Sequence, residues 1–139
     1  MASVFVIDTN VVSELTRPQP NAAVVAFLLD CSDLLLSVIV FHELEYGIQC
    51  ARDAVRRAKL QAYGKALRVQ FAGRIVDVDL AIAETAGDLR AAEKAKGRVL
   101  KEFDALIAAT ALVKGATLVT RNTRDFSTLD VPLLNPWEG

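Results

Sequence analysis

The reading of this chain turns on Val4-Phe-Val-Ile-Asp-Thr-Asn-Val-Val-Ser-Glu-Leu15. The apolar run Val4 to Ile7 has the composition of a buried strand, yet it ends on an aspartate followed at once by Thr9 and Asn10. A carboxylate at the end of a buried strand is costly unless something there wants its charge. Three further runs of the same kind, Leu34 to Ser37, Arg74 to Val78 and Thr117 to Thr120, read as strands, and Pro132 to Leu134 is a weaker fifth. Between them lie segments of helical period: Val11 to Thr16, Ala22 to Leu29, Val40 to Cys50, Asp53 to Phe71, Leu80 to Lys96 and Phe103 to Lys114. Alternating strands and helices predict an α/β fold with a mainly parallel sheet of four to five strands, covered on both faces.

The boundaries of these segments carry their own signals. Asn21, after the break Arg17-Pro-Gln-Pro, and Asp79 suit helix N-caps, while Gly97 and Gly115 suit helix ends. A chain of 139 residues fits one domain, residues 1–139, and shows no repeat, low-complexity tract or linker. Hydrophobic residues make up 53% and charged residues 24%, as in an ordinary globular protein. No apolar stretch approaches the roughly 18 residues of a membrane span, and the N-terminus lacks a signal-peptide pattern. The expectation is a cytoplasmic protein with no membrane partner. Cys31 and Cys50 have no metal-type spacing and read as buried small hydrophobes.

On an open α/β sheet, ligands gather beyond the carboxyl ends of the strands, so the acids there become the first suspects. Asp8 closes the first strand, Glu43 follows the second, and Asp104 opens the helix that leads into the fourth. After that strand comes Thr120-Arg-Asn-Thr-Arg-Asp-Phe126. Asp104 precedes Ala105, Ala108, Ala109 and Ala111, small residues that permit close helix packing, and the helix dipole favours its ionised form. Glu43 and Glu45, two apart on a helix, face different ways, and Gly47 shares the face of Glu43, where it would let another backbone approach. Carboxylates crowded into a small cavity repel one another unless a cation neutralises them. Hard oxygen donors without histidine or cysteine suit Mg²⁺ or Mn²⁺. Taken singly, each acid also has a structural reading: Asp8 as a helix cap, Asp104 as a dipole partner, Glu43 as a surface residue.

The set V-I-D-T-N (6–10), H-E-L-E-Y-G-I (42–48), F-D-A-L-I-A-A-T-A (103–111) and L-V-T-R-N-T-R-D-F (118–126), in this order across nearly the whole chain, resembles the PIN-domain ribonucleases. Within them it is most similar to the VapC toxins of bacterial toxin-antitoxin pairs, in the FitB-like branch. The resemblance implies a Rossmann-like three-layer α/β/α sandwich and Mg²⁺- or Mn²⁺-dependent cleavage of structured RNA, tRNA or rRNA. It also implies a homodimer, a cognate antitoxin of the VapB or FitA type, and a heterotetrameric or heterooctameric complex with that antitoxin. By motif, Asp8, Glu43 and Asp104 would hold the metal, with Thr9 and Thr120 holding the carboxylates. A metal-activated water would attack the scissile phosphate in line, with Glu43 positioning or deprotonating it. At the fourth acidic position the chain departs from the pattern: Asn122 stands where an aspartate is often found, with Asp125 three residues on. Which of them serves stays open, as does the number of ions.

A formal charge of −1 excludes nucleic-acid binding by bulk charge alone. Locally, Arg52 to Arg68 carries six basic residues against one acid, and Arg52, Arg56 and Lys59, at i, i+4 and i+7, make one basic stripe. That stripe reads either as a solvated face or as a rail for phosphates. Arg121 and Arg124 flank Asn122 and read as RNA contacts or as salt-bridge partners of the acids. His42, the only histidine, lies about 100° round the helix from Glu43 and reads as structural or substrate-contacting. The apolar face Val24, Val25, Phe27 and Leu28 reads as core or as part of an antitoxin groove, and Tyr46 and Ile48 are similarly ambiguous. Two rival functions stand beside the nuclease. A receiver-like phosphoacceptor would want paired acids after the first strand and a lysine after the last. A PIN fold kept only as an RNA-binding or regulatory module would bind RNA without cutting it.

Overall fold

The structure is a computed structural model, and it describes residues 3–138. Strands β1 (Phe5–Ile7), β2 (Leu34–Ser37), β3 (Ile75–Val76), β4 (Thr117–Val119) and β5 (Leu133–Leu134) form one sheet in the order β3-β2-β1-β4-β5. Every pairing is parallel. The helices are α1 (Thr9–Glu14), α2 (Ala22–Asp30), α3 (Val38–Cys50), α4 (Ala54–Gln70), α5 (Leu80–Ala95), α6 (Glu102–Val113) and α7 (Thr123–Phe126), with a 3-10 turn at Pro136–Glu138.

The sheet divides the core because successive strand residues point to opposite faces. Ile7, Leu34, Leu36 and Val119 pack with Val11, Val12, Val24, Leu67 and Phe71 from α1, α2, α4 and the residue after it. Val6 and Leu118 face the other way, onto Ile107, Ala108 and Ala111 of α6. Outside α6 lies α5, joined to it through Ile82, Ala86, Ala105 and Ala109. The alanines of α6 are fully buried, as their small size and close packing require. The result is the expected α/β/α sandwich.

Helix starts follow side-chain caps. Asn21 accepts from Ala23 N and Val24 N, and Asp79 accepts from Ile82 N, both as expected. Asp8 and Ser37 cap as well, so α1 and α3 each begin two residues before the expected Val11 and Val40. Asp53 caps α4, which leaves Arg52 outside that helix. Gly97 and Gly115 carry positive φ values of 79° and 62°, the left-handed geometry that ends α5 and α6. The four-residue α7 was not anticipated, since it is too short to show a period. Buried Phe126 anchors it.

The expected burial of both cysteines is corrected. Cys31 is half-buried and Cys50 is exposed, and both are free. Cys50 ends α3 two positions beyond buried Ile48, on the opposite side of the helix. Ile48 is therefore a core residue, whereas Tyr46 is 69% exposed. Val24 is buried, and the half-buried Phe27 and Leu28 pack against the same cluster, so these residues of the α2 face contribute to the core. Among the described residues no helix is long and apolar enough to cross a membrane.

The order of strands places the functional site. From β1 the chain builds β2 and β3 on one side, then crosses to build β4 and β5 on the other. A crevice therefore opens beyond the carboxyl ends of β1 and β4, where the direction of winding reverses. Truncating the core at that seam should be costly. Leu118→Ala is expected to lower unfolding free energy in urea by about 2–5 kcal/mol, whereas Val99→Ala, at a residue 93% exposed, should stay within about 0.5 kcal/mol.

Candidate active site

Asp8 sits one residue beyond β1, and its backbone N–H still donates to Val119 O at 2.9 Å. The register Ile7 to Val119 puts Asp8 beside Thr120 at the next position of the neighbouring strands. The two side chains meet there: Thr120 Oγ1 donates to Asp8 Oδ2 at 2.7 Å. The other Asp8 oxygen accepts from Thr9 N at 2.7 Å. The helix cap foreseen as the structural reading is thus real, and it leaves Asp8 only 6% exposed at the mouth of the crevice.

The Thr120 hydroxyl is used to capacity. It gives its one proton to Asp8 and accepts from Asn10 Nδ2 at 3.2 Å and Asn122 N at 3.0 Å. Asn10 also donates to Asp8 Oδ2 at 3.3 Å, and its Oδ1 accepts from Arg121 N at 3.2 Å. One asparagine therefore ties the start of α1 to the segment after β4. Sequence reasoning assigned Asn10 no role; its place two residues after Asp8 was the available signal.

Glu43 projects from α3 toward the same crevice, and its Oε1 accepts from Thr9 Oγ1 at 2.6 Å. Glu45 is exposed and accepts from Gln49 Nε2 at 2.9 Å, as the helical spacing implies. Asp104 enters from the first turn of α6. Asp8, Glu43, Asp104 and Asn122 line one groove of about 860 Å³. Gly47 lines it too, but a Cβ there would meet nothing within 4 Å. The expected backbone approach at Gly47 is absent; the glycine leaves the groove wide instead.

Burial raises the Asp8 carboxyl from 3.8 to about 6, against the pull of Thr120 and Thr9, and the charges of Asp104 and Glu43 add to the rise. The Asp104 carboxyl is also raised, first by burial, then by Asp125 and Glu43, while Lys101 opposes. Burial and the neighbouring acids therefore set the direction of the shift at Asp104. Among the described residues no three carboxylate, imidazole or thiol groups stand close enough together to grip an ion as they are. What fits a hard divalent cation is the donor type and the mutual repulsion of acids facing one groove.

The candidates for the fourth position fall on opposite sides of Asp104. Asn122 lies in the groove with the three acids, whereas Asp125 lines a second cavity that shares Asp104. Arg121 and Arg124 are exposed and make no salt bridge to the acids among the described residues. The Arg121 guanidinium instead lies 5.0 Å over the Trp137 ring, a contact the sequence did not suggest. Arg52 and Arg56 line the groove and Lys59 does not, so the stripe expected on one helix is broken at its first member. His42, itself exposed, packs edge-on against Phe103 with ring centroids 4.8 Å apart and lines neither cavity.

An open parallel sheet of order 3-2-1-4-5 with acids gathered over its switch point defines a Rossmann-like protein with an acidic cleft. A family model described as PIN domain matches residues 5–132, and the chain belongs to the PIN-domain family. It is 37% identical to Toxin FitB of Neisseria gonorrhoeae over 96% of this chain and 98% of that one. It is 36% identical to VapC ribonuclease Y4jK of Sinorhizobium fredii, again over 96% and 98%. Among solved structures, the crystal structure of FitAcB from Neisseria gonorrhoeae superposes with a TM-score of 0.91 at 35% identity, over 98% of this chain and 100% of that one. Family membership sets aside the receiver-like alternative.

Thr120→Val tests the hub of this network. It removes the donor to Asp8, deprives Asn122 N of its acceptor and leaves Asn10 Nδ2 only its longer bond to Asp8, so it should cost about 1–3 kcal/mol of stability. It should also move the Asp8 carboxyl further up, because the lost bond was lowering it. Carboxyl ¹³C titration by NMR reads that shift directly.

Proposed function

We propose that this protein is a divalent-cation-dependent endoribonuclease, the toxin of a VapBC-type pair, which cleaves structured RNA of the tRNA or rRNA class. The observation that carries the reading is the convergence of Asp8, Glu43 and Asp104 on one groove at the switch point of the sheet. The similarity to a named toxin and a named VapC ribonuclease supports the same activity. The similarity to a FitAcB structure supports a small antitoxin of the VapB or FitA type as partner. We place the protein in the cytoplasm, as a homodimer that forms heterotetramers or heterooctamers with that antitoxin.

In this reading Asp8, Asp104 and Glu43 hold Mg²⁺ or Mn²⁺, which would sharpen the acidity of a water and offset charge building on the phosphorus oxygens. Thr120 and Asn10 fix the rotamer of Asp8, and Thr9 does the same for Glu43. Glu43 takes a proton from the attacking water as the water oxygen bonds to phosphorus, and the P–O bond opposite breaks, the leaving oxygen keeping the bond pair and taking a proton from solvent. Asn122 orients the substrate or the water without adding charge, while Asp125 raises the charge density behind Asp104. Arg121 and Arg124 contact phosphates beside the scissile one. Asn122, being uncharged, also favours a second reading, a catalytically weak RNA-binding module. Cleavage decides between them.

Growth and RNA 5′ ends, followed in cells that express wild type or Glu43→Gln, test the activity. Wild type is expected to arrest growth and generate new ends, and Glu43→Gln to cut on the order of 10²–10⁴-fold more slowly. RNA bound but left intact by the wild type with either ion would establish the binding-module reading.

The cation has an independent readout in pH and heat. The folded Asp8 carboxyl, at about 6 against 3.8, holds its proton more tightly than the unfolded chain does. Stability of the cation-free protein should therefore fall as pH rises from 4 through 6, by on the order of 3 kcal/mol. Mg²⁺ or Mn²⁺ should raise Tm more at pH 7.5 than at pH 5. Asp8→Asn should raise the cation-free Tm at pH 7.5 and abolish most of the increment. An increment independent of pH and unaffected by Asp8→Asn would place the cation elsewhere.

A further inference from the structure

Behind the acidic groove lies a second cavity of about 490 Å³, between the turn after α5, the start of α6 and α7. Asp104 belongs to both cavities, so they meet at the acid cluster. Arg98, Lys101 and Arg124 line the second one, and all three are exposed. None of them forms an ion pair among the described residues. The buried acid of the cavity, Glu93, is already engaged: it accepts from Thr128 Oγ1, and its other oxygen, which has no hydrogen bond, stands 3.3 Å from Lys96 Nζ. That pairing also fastens the segment after α7 to the last turn of α5, the two elements that bring Arg124 and Arg98 to one cavity. Arg98, Lys101 and Arg124 thus share the cavity with Asp104, Asp125 and the engaged Glu93, yet none of the three is drawn into a salt bridge with them.

On the opposite side of the cluster, Arg52, Arg56 and Arg121 line the first groove, also without ion pairs. A polyanion threading past several carboxylates is repelled at the centre and needs cations on either side to stay bound. No aromatic residue lines the second cavity, which leaves it backbone phosphates to hold and no platform on which to stack bases.

We infer that this second cavity is a substrate subsite, in which Arg98, Lys101 and Arg124 hold phosphates of an unpaired RNA strand on the far side of the scissile bond from the α3–α4 groove. The inference rests on the nuclease reading and adds the path of the strand. It predicts a footprint that spans both cavities, with position set by phosphates and indifferent to sequence.

Arg98→Ala/Lys101→Ala, placed in a cleavage-silent Glu43→Gln background, tests it. Binding of a fluorescent 12-nucleotide oligouridine is followed by anisotropy over a salt series, and cleavage by the double variant with Glu43 intact is followed separately. Loss of two phosphate contacts should reduce the slope of log affinity against log salt by about 1.4. In cleavage, KM should rise several-fold with kcat little changed. Lys114→Ala, at the opposite end of the sheet, should alter neither, and an unchanged Tm in the double variant confirms its fold. An unchanged salt slope and KM would overturn the subsite, as would loss of antitoxin binding with RNA binding intact, which would assign the cavity to a protein segment. If the Glu43→Gln parent binds no RNA and wild type cuts none, the nuclease reading falls first and takes the subsite with it; the parent measurement tells the two failures apart.

Discussion

The burial of one carboxylate organises this molecule. Asp8 stands where the central strand β1 runs out between its two parallel neighbours, 6% exposed. At that exposure water supplies little of its solvation, and protein donors must supply most of it. Thr9 N, Thr120 Oγ1 and Asn10 Nδ2 do so. These donors come from the start of α1 and the end of β4, segments more than a hundred residues apart in the chain. Because Thr120 can give only one proton, its remaining capacity goes to Asn10 and to Asn122 N, which fixes the entry into α7. The position of the fourth-site segment is thus set by the need to solvate the first acid.

Even with three donors, the Asp8 carboxyl is raised, since burial and the neighbouring acids outweigh them. A fold designed only for stability would put a neutral residue there. The structure instead concentrates like charges at the crevice and keeps cations at its margins, while the chain as a whole carries a formal charge of −1. Near-neutrality therefore conceals a strongly patterned surface, with an acid centre and basic flanks. For the proposed nuclease such a pattern separates two tasks: acids draw a cation, and the flanks draw phosphates that the acids alone would repel.

Much of this was legible in order along the chain. The strands were recognisable because β-branched apolar runs are short and bounded, and the capping roles of Asn21 and Asp79 follow from side-chain chemistry that needs no tertiary context. The early start of α3 was missed because Ser37 was counted with its strand alone, though it also caps the helix that follows; that of α1 was missed although Asp8 was recognised as a possible cap, because the period was counted from Val11. Cys50 and Gly47 were misjudged for one shared reason. Helical period says which residues share a face, but not whether that face meets the core or a groove. The stripe of Arg52, Arg56 and Lys59 failed similarly, since it presumed a helix that begins only after Asp53.

By itself the sequence determined the kind of fold and the family and singled out three acids that line one groove, because these depend on local pattern and on motifs whose spacing survives in one dimension. Only the tertiary structure decided how those acids are held and divided. It placed Asn10 and Thr120 on Asp8, gave Thr9 to Glu43, and set Asn122 and Asp125 on opposite sides of Asp104. It also laid Arg121 over Trp137 and gathered Arg98, Lys101 and Arg124 around a second cavity. Register and helix packing are collective properties of the whole core. A side chain's partners follow from them, and no local stretch of sequence contains them.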